Sequence, residues 1–157
     1  MMALLIDNNV FIGFLLTQEF IMTIHDTTTV SPEHSITPLD AFFSQLDSLG
    51  GFFDVSLLAN KLNVSEESIK EDIATGKLLS VDRDGVELIP AFQFSAFKKL
   101  PGLEDVLLQM PEISSLEKAA FLISEIDILR DTPAHALKKN PSEDTLNIIL
   151  KSAAKLK

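Results

Sequence analysis

The run Val55-Ser56-Leu57-Leu58-Ala59-Asn60-Lys61-Leu62-Asn63-Val64-Ser65-Glu66-Glu67-Ser68-Ile69-Lys70-Glu71-Asp72-Ile73 predicts two short helices around a tight turn. Asp54-Val55-Ser56 opens the first helix, which carries Leu57, Leu58 and Leu62, and Asn63-Val64 breaks it. Ser65 caps the second, with Glu66, Glu67 and Ser68 in its first turn; Ser68 occupies the position where a capping box has Glu. Ile69 and Ile73 point inward, and Gly76 supplies a left-handed stop. Helix, turn, helix is the pattern of a DNA-reading module whose second helix enters the major groove. It is equally the pattern of a helix hairpin that only packs. The exposed face of the second helix carries Glu66, Glu67, Glu71 and Asp72 against Lys70 alone, and carboxylates facing phosphates oppose binding. The candidate DNA contacts therefore reduce to Ser65, Ser68, Lys70, Lys77 and Arg83.

Two β-prone runs follow, residues 77–81 and 86–89, and the Asp84-Gly85 pair between them predicts a hairpin. Pro90 is expected to block further strand pairing, and Phe92, Phe94 and Phe97 to pack the hairpin on the helices as core rather than as a ligand cage. Upstream, Thr37-Pro38 starts a packing helix with Leu39, Phe42, Phe43, Leu46 and Leu49, ended by Gly50-Gly51. From Pro101-Gly102 onward four helical stripes appear. Leu103, Val106, Leu107 and Met110 form the first, closed by Pro111. Leu116, Ala119, Ala120, Leu122, Ile123 and Ile126 form the second, from near Ser115. Asp131-Thr132-Pro133 opens a third through Leu137, and Asn140-Pro141-Ser142 a fourth with Leu146, Ile149, Leu150, Ala153 and Leu156. The expected fold is mainly α: a helix-turn-helix with a small β-hairpin over residues 38–99, followed by a small helical bundle over 100–157.

Residues 1–37 read as a loosely ordered arm, because the polar run Thr23 to Pro38 is rich in turn formers. Met22 offers a second start, which would leave residues 1–21 outside the natural protein; the alternative is an amphipathic partner-binding arm. The apolar run Val10 to Leu16 has the length of a signal h-region but lacks a basic n-region, and Asp7, Gln18 and Glu19 keep it short of a membrane span. The absence of Cys excludes disulfides and thiolate metal sites, and cytoplasm is the expected location. With 46% hydrophobic residues and 11 Phe, the chain has enough apolar surface for a packed core. Its formal charge of −10 repels phosphate at long range, so any nucleic-acid contact needs a local basic face or a partner subunit.

Catalytic signals are missing from the sequence. His25, His34 and His135 are far apart and none forms a metal-ligand spacing; no GxSxG, Gly-rich phosphate loop or nucleophilic Cys occurs. A binding protein with no metal and no cofactor is expected, not an enzyme. Lys138, Lys139, Lys151, Lys155 and Lys157 make the C-terminus the one basic region, suited either to opposing helix dipoles or to meeting an acidic partner.

The segments Val55 to Ser65, Gly76-Lys77-Leu78-Leu79, Ile89-Pro90-Ala91-Phe92-Gln93-Phe94 and Leu100-Pro101-Gly102-Leu103 resemble antitoxins of the Xre/MbcA/ParS type in order and spacing. In that family a helix-turn-helix precedes a hairpin, a Pro-x-x-Gln-Phe element, a Pro-Gly-Leu helix and a toxin-binding region with a Leu…Thr-Pro…Leu stretch. Leu129-Arg130-Asp131-Thr132-Pro133 and Leu137 match that stretch, with Arg130-Asp131 in place of a Gly-rich turn and Lys138-Lys139-Asn140 in place of Arg-x-Gly. The resemblance implies a RES-type, NAD-consuming toxin from a neighbouring gene as partner, with Arg130, Thr132, Lys138, Lys139, Lys151 and Lys155 as candidate toxin contacts. Operator DNA, through autoregulation, and further copies of the chain are the other expected partners. The alternative is a solitary DNA-binding transcriptional regulator without a toxin.

Overall fold

The computed structural model describes residues 36–156. The arm's apolar run 10–16, Met22, His25 and His34 lie outside the described residues, as does Lys157. The chain divides into two compact units, one ending at Ser48 and one beginning at Leu49. In the first, α1 spans Pro38–Ser48. Thr37 caps it: Asp40 N donates to Thr37 Oγ1 at 3.1 Å, and Thr37 N donates back to Asp40 Oδ2 at 3.1 Å. Phe42, Phe43 and Leu46 are buried, with the two rings edge to face, while Leu39, expected on the packing stripe, is exposed.

The second unit contains β1 (Phe52–Phe53), α2 (Val55–Leu62), α3 (Glu66–Ala74), β2 (Val81–Arg83), β3 (Val86–Pro90), β4 (Phe94–Ser95) and β5 (Lys98–Lys99). It continues with α4 (Leu103–Leu108), α5 (Ser115–Ile123), α6 (Pro133–Lys138) and α7 (Glu143–Ala153). The result is a helix-rich fold with small antiparallel sheets. Asp54 Oδ1 accepts from Leu57 N at 2.6 Å to start α2, and Asn63, left-handed at φ 55°, ends it. Ser65 Oγ accepts from Ser68 N at 3.2 Å to start α3. At its end Gly76 (φ 73°) donates to Ile73 O and Lys77 to Asp72 O, the paired bonds of a glycine-terminated helix. Leu58, Ala59, Ile69, Leu78 and Ile89 form one buried cluster, with Phe53, Leu62, Ile73 and Phe94 packed on it.

The predicted hairpin forms, but its first strand starts at Val81 rather than Lys77 and takes in Asp82 and Arg83. Asp84 and Gly85, at φ 57° and 81°, make a two-residue turn whose twist suits the strands. Arg83 pairs with Val86 and Val81 with Leu88, so the alternating ladder would next bond Leu79 to Pro90. Pro90 has no N–H to give. The Gln93 side chain stands in: Leu79 N donates to Gln93 Oε1 at 2.8 Å, and Gln93 Nε2 donates to Leu79 O at 2.8 Å and to Pro90 O at 3.1 Å. The strand therefore stops short of Leu79, and Gln93 is fully buried yet satisfied.

Pro90 does not end pairing on the other edge of β3, contrary to expectation. Phe52 lies opposite Pro90 and Phe53 opposite Ile89, giving the order β1-β3-β2. Ala91 N donates to Gly51 O at 2.9 Å, so the pairing passes Pro90 at a position that needs no N–H on that side. The aromatic prediction also needs one correction. Phe92 is buried and Phe94 packs edge to face with Phe53, but Phe97 is 57% exposed, at the tip of a second hairpin formed by β4 and β5.

In the helical half, α4 packs on α7, α5 on α6 and α6 on α7. Gly102 makes the first contact possible. Its φ is 77°, and a Cβ there would lie 2.8 Å from Leu146 Cδ1. Leu103, Leu122, Leu137 and Ile149 are fully buried. Ser114 and Glu117 form a capping box on α5. That helix ends at Ile123; Ile126, expected on its face, is buried in the following turn, where its N–H donates to Asp131 O at 2.9 Å. Among the described residues no helix is long and apolar enough to cross a membrane.

Candidate partner-binding surface

The turn from Ile126 to Asp131 sets up the surface before α6. Leu129 N and Arg130 N both donate to Ile126 O at 2.9 Å, and Arg130 takes a left-handed φ of 49°. Asp131 then acts as a hub. Its Oδ1 accepts from Thr132 N at 2.8 Å and lies 2.7 Å from His135 Nδ1, and its Oδ2 accepts from Lys139 Nζ at 3.2 Å. Partial burial pushes the Asp131 carboxyl up, but the bonds from His135, Lys139 and the Thr132 amide outweigh it and hold the group below the usual carboxylate range. Thr132 caps α6 by accepting from His135 N at 3.2 Å, and Pro133 fits the helix start.

Of the predicted toxin contacts, Thr132 and Lys139 bond this hub and Arg130 precedes it in the turn, whereas no hub bond involves Lys151 or Lys155. Lys138 and Lys139 end α6, beside the start of α7 with its Glu143 and Asp144. Lys151 lies in the last turn of α7, about 12 Å further along its axis at 1.5 Å per residue. The lysines are all exposed, but they form two groups rather than one patch. Sequence reasoning missed Asp131 and His135, although Asp131 just before α6, His135 within it and Lys139 at its C-cap recur at the spacing of four that lets helical neighbours meet. It also missed Ile128, which stands 75% exposed at the tip of the turn.

The predicted DNA contacts are scattered. Ser65 is engaged as the α3 cap, Ser68 gives it a backbone bond, and Lys70 lies 3.6 Å from Glu66 on the same helix. Lys77 follows the α3 stop and Arg83 sits at the β2 end of the hairpin. Glu66, Glu67 and Glu71 are exposed as expected, but Asp72 is half-buried and bonded by Lys99 Nζ at 2.9 Å. Lys99 also reaches Glu104 at 2.6 Å, linking α3 to the start of α4. Burial opposes its charge, and the two carboxylates override that and raise its pKa. Among the described residues no group of three or more His, Asp or Glu is arranged to hold a metal ion. No protein-family model matches the chain, and searches of curated proteins and of solved structures return no significant match.

Proposed function

We propose that the chain is an antitoxin-like binding protein that neutralises a RES-type toxin encoded by a neighbouring gene. Support comes from the backbone at the two places where the sequence departs from the family it resembles. Arg130 replaces a Gly-rich turn and Asn140 replaces the glycine of Arg-x-Gly, and both are left-handed, at φ 49° and 54°. That conformation is uncommon outside glycine, so both substitutions keep the geometry a glycine would supply. The turn around Arg130, with exposed Ile128 as an apolar anchor, is the proposed centre of the toxin contact, and the lysines steer the approach. By the same reading the protein works in the cytoplasm as a homo-oligomer, by binding rather than catalysis, and without metal or cofactor.

Expression of the neighbouring gene with and without this chain, read out as growth and cellular NAD, tests the proposal. Toxicity and NAD loss relieved by the chain are expected; a neighbour harmless on its own sinks it. The second reading, a DNA-binding regulator without a toxin, draws on the α2–α3 pair as a helix-turn-helix, since only three residues separate its two helices and both are side-chain capped. It predicts a gel shift on the upstream promoter that Lys70→Glu with Lys77→Glu abolishes. The absence of any shift at low salt, with the neighbour's product added, counts against it.

A further inference from the structure

Although the chain carries 23 Asp and Glu, residues 55–65 and 88–103 are among the stretches that contain none. The fold joins them. Lys61, exposed on α2, sets its Nζ 5.0 Å from the centroid of the Phe97 ring on the β4–β5 turn. Ala96 and Phe97 in that turn are both left-handed, at φ 48° and 57°, as a two-residue hairpin turn requires, and this fixes Phe97 at the hairpin tip. The turn presents Phe97 to solvent, unlike buried Phe92, and Lys98 beside it is exposed, as are Asn60 and Asn63. The carboxylates that the adjoining strand β5 does meet, Asp72 and Glu104, are both engaged by Lys99. A chain of charge −10 thus has, at one hairpin tip, a solvent-exposed aromatic ring with one cation over it and a second exposed cation next to it in sequence.

We propose that Lys61, Phe97 and Lys98 form a contact site for single-stranded nucleic acid, the ring stacking on an unpaired base and the ammonium groups meeting the flanking phosphates. An unpaired base offers its π face without the cost of unstacking a duplex, and two lysines are too few to hold a duplex against the overall charge. This site shares no residue with the toxin-contact turn and does not depend on the antitoxin reading.

Fluorescence anisotropy of a labelled oligo(dT) of about 20 nucleotides with the full chain at low salt tests it. Binding is expected, with a log–log salt slope of about −1.4 for two phosphates. Phe97→Ala, which removes no charge, is expected to weaken it about tenfold. Lys61→Gln with Lys98→Gln should weaken it further, and Lys118→Gln, which removes a charge on α5, should leave it unchanged. Phe97→Leu, which keeps the apolar bulk but not the stacking face, guards against a folding artefact and should also bind weakly. The proposal is overturned if oligo(dT) does not bind, if Phe97→Ala binds equally well, or if a duplex of the same length binds more tightly. It is likewise overturned if Phe97 is required for binding the neighbour's product while oligo(dT) is ignored.

Discussion

Single residues here complete what the backbone cannot. Gln93 supplies the donor that Pro90 lacks and takes the Leu79 N–H that the ladder leaves over, all in a fully buried site. Gln93→Leu keeps the volume but strands the Leu79 N–H and C=O, each orphan costing roughly 1 to 3 kcal/mol. A loss of about 3 kcal/mol is expected from urea denaturation, with an unchanged slope. Arg130 is the converse case, a long side chain held where glycine is favoured. Arg130→Gly relieves about 1 to 2 kcal/mol of left-handed strain and gives back about 0.5 to 1 in unfolded-chain entropy, so a small gain in thermal stability is expected. Asn140→Gly gains little, because asparagine tolerates this conformation. If Arg130→Gly proves destabilising, the Arg130 side chain makes a stabilising contact that outweighs the strain.

Elements are tied together by two charged hubs with opposite pH behaviour. Asp131, lowered in the folded state, stabilises the α6 start at all pH values above its ordinary unfolded range and loses that contribution as pH falls through its folded value. Lys99, raised in the folded state, stabilises the α3–α4 junction below the usual lysine range and loses it as pH rises through its folded value. Asp131→Asn should therefore narrow its stability deficit on the acid limb, and Lys99→Met on the alkaline limb, in urea midpoints measured against pH. Equal deficits at every pH would mean the charges contribute nothing. The helix ends in these elements were legible because caps act locally: Thr37, Asp54, Ser65, Thr132 and Ser142 all accept the bonds their sequence positions imply. Beyond the β2–β3 hairpin itself, the small strands and their ends were not. β1 is two residues long, the β4–β5 turn uses Ala96-Phe97 where glycine or asparagine is usual, and the early end of β2 depends on a side chain fourteen residues away. The partners of Asp131 lie at local spacings, but the Ile126–Asp131 bridge that closes the preceding turn has no sequence pattern of its own.

For the molecule as a whole, charge sets how a partner arrives. At −10 the chain repels any acidic protein at distances beyond contact, and the screening length of about 8 Å at physiological salt confines attraction to local cations. Lys138, Lys151 and Lys155 are exposed cations of the proposed toxin-binding half, and none of them belongs to the Asp131 hub. Reversing all three to Glu should slow association with the proposed toxin partner by about tenfold or more at low salt and remove its salt dependence, while dissociation changes little. Lys138 and Lys151 end helices, so stability should fall by no more than about 1 kcal/mol per site, which separates a steering defect from unfolding. Stopped-flow rates across a salt series provide the measurement. Unchanged association with faster dissociation would place these lysines inside a buried contact instead, and a partner that binds faster after reversal would have to carry a basic rim.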